Sequence, residues 1–112
     1  MVVSTELSDD EVDRIFRALA DATRRDILRR TLHGEASVSQ LAAAYDMSFA
    51  AVQKHVAVLA GAGLVTKEPK GRERVVRGNP EALARTRALL DRYEQIWRDR
   101  IGRLDALLSE ED

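Results

Sequence analysis

The chain has 112 residues, 45% hydrophobic and 33% charged, with no cysteine and a formal net charge of −1. That length suits one domain and that composition a globular one, while the missing thiols exclude disulfides and thiolate metal sites. Apolar runs are too short for a transmembrane helix. Residues 1–6 also lack the basic and then apolar pattern of a secretory leader, which fits the cytoplasm.

The distribution of charge matters more for a nucleic-acid ligand than its sum. Residues 1–13 hold Glu6, Asp9, Asp10, Glu11 and Asp13 and no base, and the chain ends on Asp105, Glu110, Glu111 and Asp112. Residues 64–79 instead hold Lys67, Lys70, Arg72, Arg74 and Arg77 against Glu68 and Glu73. An acidic frame around a basic centre lets one face be positive.

Ser8-Asp9-Asp10-Glu11 has the form of a capping box, and Val12, Ile15, Phe16 and Leu19 then mark one face of a helix over about 9–20. Asp21 suits the cap of a second helix, with Ile27, Leu28 and Leu32 as its stripe and His33-Gly34 as its end. Ser39 is the expected cap of a short third helix carrying Leu41, Ala42, Ala44 and Tyr45. Ser48 caps a fourth, whose Val52, Val56 and Leu59 point inward and which Gly61 and Gly63 end. Residues 64–68 and 73–77 read as strands around the turn Pro69-Lys70-Gly71-Arg72. Pro80 opens a last helix over about 81–108. The expected fold is mainly α with a small β-hairpin: a single winged helix-turn-helix domain over 1–112. Its helix-turn-helix lies at about 39–60 and its wing at about 64–79.

A helix that reads DNA needs a small, polar outward face to enter the major groove, about 12 Å wide. Residues 48–55 fit. Gln53 can pair with adenine, Lys54 can reach guanine or a phosphate, and Phe49 or Ala50 can touch a thymine methyl. Ser48 and the helix N-terminus can hold a phosphate, and His55 shares the same helix. An amphipathic helix with a merely solvated polar face would look similar. What separates the two is the order: short helix, tight break, Ser-capped helix, Gly exit, basic hairpin. In the wing, Lys70, Arg72 and Arg74 are the candidate phosphate contacts, Arg72 and Arg74 flanking the tip. Arg24 and Arg25 open the second helix, where an ion pair or stem packing is the plainer role for at least one of them.

In this order the segments resemble the ArsR (ArsR/SmtB) family of winged-helix regulators. The matching pieces are residues 18–28 (ALADATRRDIL), 38–42 (VSQLA), 48–59, 62–65 (AGLV) and the wing Gly71-Arg72-Glu73-Arg74, spanning about residues 12–80. The resemblance implies a homodimer on an inverted repeat at a promoter, usually as a repressor. It is nearest to the branch with a Lys-His pair in the reading helix and Tyr and Trp in the last helix, a branch that often departs from metal sensing.

Leu83, Leu90, Tyr93, Trp97, Ile101, Leu104 and Leu108 form a seam along the last helix. A helix of roughly 40 Å is too long for one small domain to cover, so Phe16, Leu90, Tyr93, Trp97, Ile101 and Leu104 are expected in a dimer interface. Tyr93 and Trp97 lining a ligand pocket is the second reading. Family metal sites use thiolates in the third helix or His and carboxylates in the last. Residues 39–45 have no cysteine, the last helix has no histidine, and Glu94, Asp99 and Asp105 make no loop motif. No metal or other cofactor is expected. His33 and His55 lie on different elements without a carboxylate partner by spacing, which argues against an enzyme. A helical protein-interaction module without sequence-specific DNA binding is the alternative. It leaves the basic wing and the Ser-capped polar helix unexplained.

Overall fold

The computed structural model describes residues 6–110. The stretch read above as lacking a leader and the acidic Glu111 and Asp112 therefore fall largely or wholly outside the described residues. Ser8 caps α1 (Asp9–Leu19) through a complete capping box, its Oγ accepting from the Glu11 N–H and the Glu11 carboxylate accepting from the Ser8 N–H. Asp21 caps α2 (Ala22–His33) by accepting from the Arg24 N–H at 3.0 Å. A two-residue strand, β1 (Ala36–Ser37), leads into α3 (Val38–Ala43). Then follow α4 (Phe49–Gly61), the hairpin β2 (Val65–Lys70) and β3 (Glu73–Gly78), and α5 (Pro80–Glu110).

Several expectations need correction. The cap of α3 is Ser37, not Ser39, and it closes a second capping box with Gln40. Both serines have the right chemistry; Ser37 wins because the brief pairing of β1 with β3 holds it in the extended conformation a cap requires. With that start, α3 ends one residue before Ala44. On α2 the core position is Thr31 rather than Leu32, which is 42% exposed. The Thr31 hydroxyl is buried at no polar cost because it bonds the Ile27 and Leu28 carbonyls of its own helix. Strand β1 was not foreseen, since two residues carry no periodicity.

The sheet runs β1-β3-β2, all antiparallel, with Val65 opposite Gly78 and Lys70 opposite Glu73. Pro69 and Lys70, read as turn residues, belong to β2. Proline is tolerated there because β2 is the edge strand. The loop is Gly71-Arg72 alone; Gly71 has φ 65 and Arg72 does not share its positive φ, the II′ pattern that suits hairpin twist.

The core gathers Ile15 and Ala18 of α1, Ile27 and Leu28 of α2, and Val38 and Leu41 of α3 around Val52, Val56 and Leu59 of α4. Leu64, Val65, Val76 and Ala82 close it from the hairpin side. Only the start of α5 takes part, through Ala82, Thr86 and Leu89. From residue 90 to 110 every position is exposed. The helix, roughly 46 Å long, therefore projects from the body. The extents of 71 × 39 × 23 Å and radius of gyration of 19.4 Å reflect this; a compact chain of this size would have about 13 Å. None of the described helices is long and apolar enough to cross a membrane.

Gly78 is required by close approach. A Cβ there would lie 2.6 Å from Leu32 Cδ2 and 3.0 Å from the Leu32 backbone nitrogen. The side chain could yield, but the backbone of α2 could not without shifting the helix. Gly78→Ala should therefore lower stability by roughly 1–3 kcal/mol, read as a reduced urea midpoint with unchanged m-value.

Candidate nucleic-acid interface

Val52, Val56 and Leu59 are fully buried, and their spacing fixes the orientation of α4. Its outward ridge is then Ala50, Lys54 and Ala57, small side chains around one cation, with Gln53 on the hairpin side. Ser48 caps the helix by accepting from the Ala51 N–H at 3.1 Å, which leaves its hydroxyl proton free to donate. The exit is closed by a Schellman arrangement, in which Leu64 N–H bonds the Leu59 carbonyl and Gly63 N–H the Ala60 carbonyl. Gly63 adopts φ 75 to allow it. Asn79 then ties this exit to α5: its Nδ2 donates to the Gly63 carbonyl while its Oδ1 accepts from the Glu81 N–H.

Alternation sorts the charges of the hairpin. Lys67 and Arg74 lie on the face continuous with buried Val65 and Val76, while Glu68, Lys70, Glu73 and Arg77 lie on the other. On that second face Glu35, from the loop after α2, accepts from Arg77 at 2.6 Å and faces Lys70 at 3.5 Å. The Arg77 guanidinium, and Lys70 behind it, hold the Glu35 carboxyl below its ordinary range. Glu68 adds a longer contact to Arg77. The first face has no acid. Among the described residues Lys54, Lys67, Arg72 and Arg74 make no ion pair. Ala50, Gln53, Lys54, Ala57, Lys67 and Arg74 line one groove of about 520 Å³ between α4 and the hairpin.

Of the other candidates, Phe49 and Arg72 line an adjoining depression with Gln53 and Arg74, Ser48 sits at the cap of α4, and Lys70 and His55 turn away. Lys70 is turned to Glu35, because its register position puts it on the acid-bearing face. His55 points to the opposite flank of α4, its Nδ1 lying 3.4 Å from Arg24 Nη1. Arg24 also donates from Nε to the Ala18 carbonyl at 2.8 Å and from Nη2 to the Arg17 carbonyl, and Arg25 donates to the Leu19 carbonyl. These two arginines thus satisfy the last carbonyls of α1, a structural role reached through helix-end carbonyls rather than through the ion pair or stem packing expected of at least one of them. The missed elements are Lys67, legible by counting parity back from Gly71, and Glu35, which no local pattern marks.

The relation of α2 to α3 is set by Asp26. Its carboxylate accepts from the Tyr45 hydroxyl at 2.5 Å, Arg30 Nε at 2.8 Å and Arg29 Nη2 at 2.5 Å, and Arg30 stacks over the Tyr45 ring. Arg30 first, then Tyr45 and Arg29, hold the Asp26 carboxyl far below the usual range. Burial, and then the bond to Asp26, push the Tyr45 hydroxyl up to about 12. On α5, Leu90, Tyr93, Trp97, Ile101 and Leu104 are all exposed, as is Phe16 of α1. Ile96, Leu107 and Leu108 widen this apolar band. Leu83 instead packs against the protein's own core.

Comparison with known proteins matches the fold. A family model described as a helix-turn-helix domain matches residues 14–68. The HTH-type transcriptional regulator Rv2034 of Mycobacterium tuberculosis (strain ATCC 25618 / H37Rv) is 44% identical over 81 residues, covering 72% of this chain and 76% of that protein. The solved ArsR-like transcriptional regulator from Rhodococcus sp. RHA1 is 31% identical with a TM-score of 0.81, covering 90% of this chain and 93% of that one. The chain belongs to the ArsR family of winged helix-turn-helix transcriptional regulators. A further neighbour is the homodimeric winged helix-turn-helix DNA-binding domain Mb0332 from Mycobacterium bovis, a possible ArsR-family regulator. It is 29% identical with a TM-score of 0.63, covering 85% of this chain and 91% of that one. This ArsR-family protein is accordingly a DNA-binding transcriptional regulator. The matched residues 14–68 include α3 and α4, the candidate helix-turn-helix with α4 as the candidate recognition helix, and they run into the β2–β3 hairpin, the candidate wing.

The Asp26 tie has a pH signature. A carboxyl whose folded pKa is depressed stabilises the fold above its unfolded value, about 3.9, and loses that contribution as pH falls through the folded value. Asp26→Asn should cost roughly 1–3 kcal/mol at neutral pH, toward the low end because both arginines are exposed. In urea titrations the gap to wild type should shrink steadily as the pH drops below about 4.

Proposed function

We propose that this regulator is a homodimeric repressor acting on promoter DNA in the cytoplasm, one recognition helix entering the major groove of each half of an inverted repeat. One observation carries the reading. The unpaired cations Lys54, Lys67 and Arg74 line one groove with Ala50 and Ala57 of α4, Arg72 joins Arg74 in the adjoining depression beside Gln53, and the acids that form ion pairs here, Glu35 and Glu68, sit on the opposite face of the hairpin. Gln53 and Lys54 then read bases, and Arg72, Arg74 and Lys67 hold phosphates. Ser48 contributes a phosphate contact at the helix start. Lys70 and His55 act indirectly, by fixing the back of the wing and the flank of α4. The elements from α1 to α5 work as one domain whose activity is binding rather than catalysis.

The dimer reading is supported by the apolar band on α5, every described position of which is exposed beyond residue 90. Leaving Leu90, Tyr93, Trp97, Ile101 and Leu104 in water forgoes roughly 1.5–3 kcal/mol for each large side chain. Phe16 of α1 adds to the surface to be covered. A two-fold dimer and a palindromic site imply each other, and the M. bovis neighbour is named as homodimeric. This sequence contains no cysteine, so regulation by thiolate-bound metal or arsenite is not the reading favoured here.

Arg74→Ala should weaken binding to all duplexes alike and reduce the log–log salt slope by roughly 0.9 per lost phosphate contact. Gln53→Ala should instead relax the preference at one base pair per half-site, costing about 1–3 kcal/mol there. Titrations against a selected duplex and its single-base variants separate the two effects, and a uniform loss for Gln53→Ala would remove α4 from base reading.

Sedimentation at micromolar concentration should show a dimer. Trp97→Ala should shift it toward monomer, the ring being worth about 3–5 kcal/mol where an interface buries it fully. A folded, stable wild-type monomer would refute the interface.

Zinc, cadmium or arsenite at micromolar concentration should leave the anisotropy titration unchanged. A chelator-reversible loss of affinity with one metal bound per subunit would reveal a site of another chemistry.

A further inference from the structure

Phe49 is the first residue of α4 and is 47% exposed. The core closes without it, since Val52, Val56 and Leu59 already anchor the helix. A single exposed apolar side chain needs no explanation on an ordinary surface. What sets this ring apart is its position. It lies one turn before Gln53, and both line a depression of about 210 Å³ with Ser39, Arg72, Glu73 and Arg74. Apart from the buried Val38, the lining is polar or charged around this ring. With Arg72 and Arg74 at its edge to meet the phosphates, the ring is left to meet something uncharged.

The major-groove edge of DNA offers one apolar group, the C5-methyl of thymine. We infer that Phe49 is a specificity-determining residue that packs a thymine C5-methyl against its ring, beside the base read by Gln53. The inference rests on the reading of α4 and the wing as the DNA-facing surface. A helical turn advances about 5.4 Å and a base pair about 3.4 Å. The thymine therefore falls within one or two base pairs of the Gln53 contact. Arg72 and Arg74 grip the backbone beside it and hold the ring at the groove edge. The recognised half-site accordingly pairs a hydrogen-bonded position with a neighbouring methyl-bearing one.

The test uses a duplex selected by the wild-type protein from a random library. Each thymine is replaced in turn by deoxyuridine, which keeps the hydrogen-bonding edge and lacks the methyl. For one thymine per half-site, removing the methyl should weaken wild-type binding about fourfold in fluorescence anisotropy. Phe49→Ala should be weaker on the parent duplex by a similar factor and indifferent to deoxyuridine at that position. Phe49→Leu should keep part of the discrimination. Far-UV circular dichroism checks that both variants fold. The inference is overturned if no thymine is sensitive, or if Phe49→Ala retains the sensitivity. It is also overturned if Phe49→Ala weakens every duplex equally, which assigns the ring to the sugar–phosphate backbone. Gln53→Ala and Arg74→Ala on the same duplex test the underlying reading separately. Wild-type binding by both would remove the DNA-facing assignment, whereas losses in both with a silent Phe49 would sink this inference alone.

Discussion

The burial of Val52, Val56 and Leu59 determines how everything else in this regulator is used. All three are fully inaccessible, and each contributes roughly 1.5–3 kcal/mol by leaving water. A helix held by such a stripe cannot rotate about its axis, so the same contacts that stabilise the body decide which side chains face the groove beside the hairpin. Ala50, Lys54 and Ala57 become the ridge, Phe49 and Gln53 the wing-side flank, and His55 the α2-side flank. The chemistry of recognition is thus a by-product of packing. A residue of α4 acquires its role from its angle to the stripe rather than from its type.

The hairpin solves a second problem with the same economy. Its bases, Lys67, Lys70, Arg72, Arg74 and Arg77, outnumber its acids, Glu68 and Glu73, and strand alternation places Lys67 and Arg74 on one face and Glu68, Lys70 and Arg77 on the other. Glu35 completes the segregation by drawing Arg77 and Lys70 to the back of the sheet. A net charge of −1 is therefore compatible with a positive reading surface, because what attracts a polyanion is the local field of unpaired cations. The buttress also ties the wing to the loop after α2, which limits how far the tip can swing from the recognition helix.

Two junctions carry the reading surface into the rest of the molecule. Arg24 links the end of α1 to the flank of α4 through the Ala18 and Arg17 carbonyls and His55. Asn79 links the exit of α4 to the start of α5. Short polar contacts thereby join α1 and α5 to the candidate recognition helix α4.

Much of this was legible in the sequence. Capping chemistry at Ser8, Asp21 and Ser48, apolar spacing in α1 and α4, and Gly71 between two β-prone runs located most elements, because these signals act within a few residues of themselves. The candidate reading residues Gln53 and Lys54 followed from the same local pattern, as did the apolar seam from Leu90 to Leu104. What the chain could not declare locally was decided by tertiary contact. Ser37 rather than Ser39 caps α3 because β3 holds it extended. Thr31 rather than Leu32 enters the core because Gly78 brings β3 against α2, with no room for a side chain between them. Lys70 leaves the reading face, and His55 turns to Arg24, because their partners lie 35 and 31 residues away in the chain. Periodicity states which residues share a face of one element. Only the assembled fold states what that face meets.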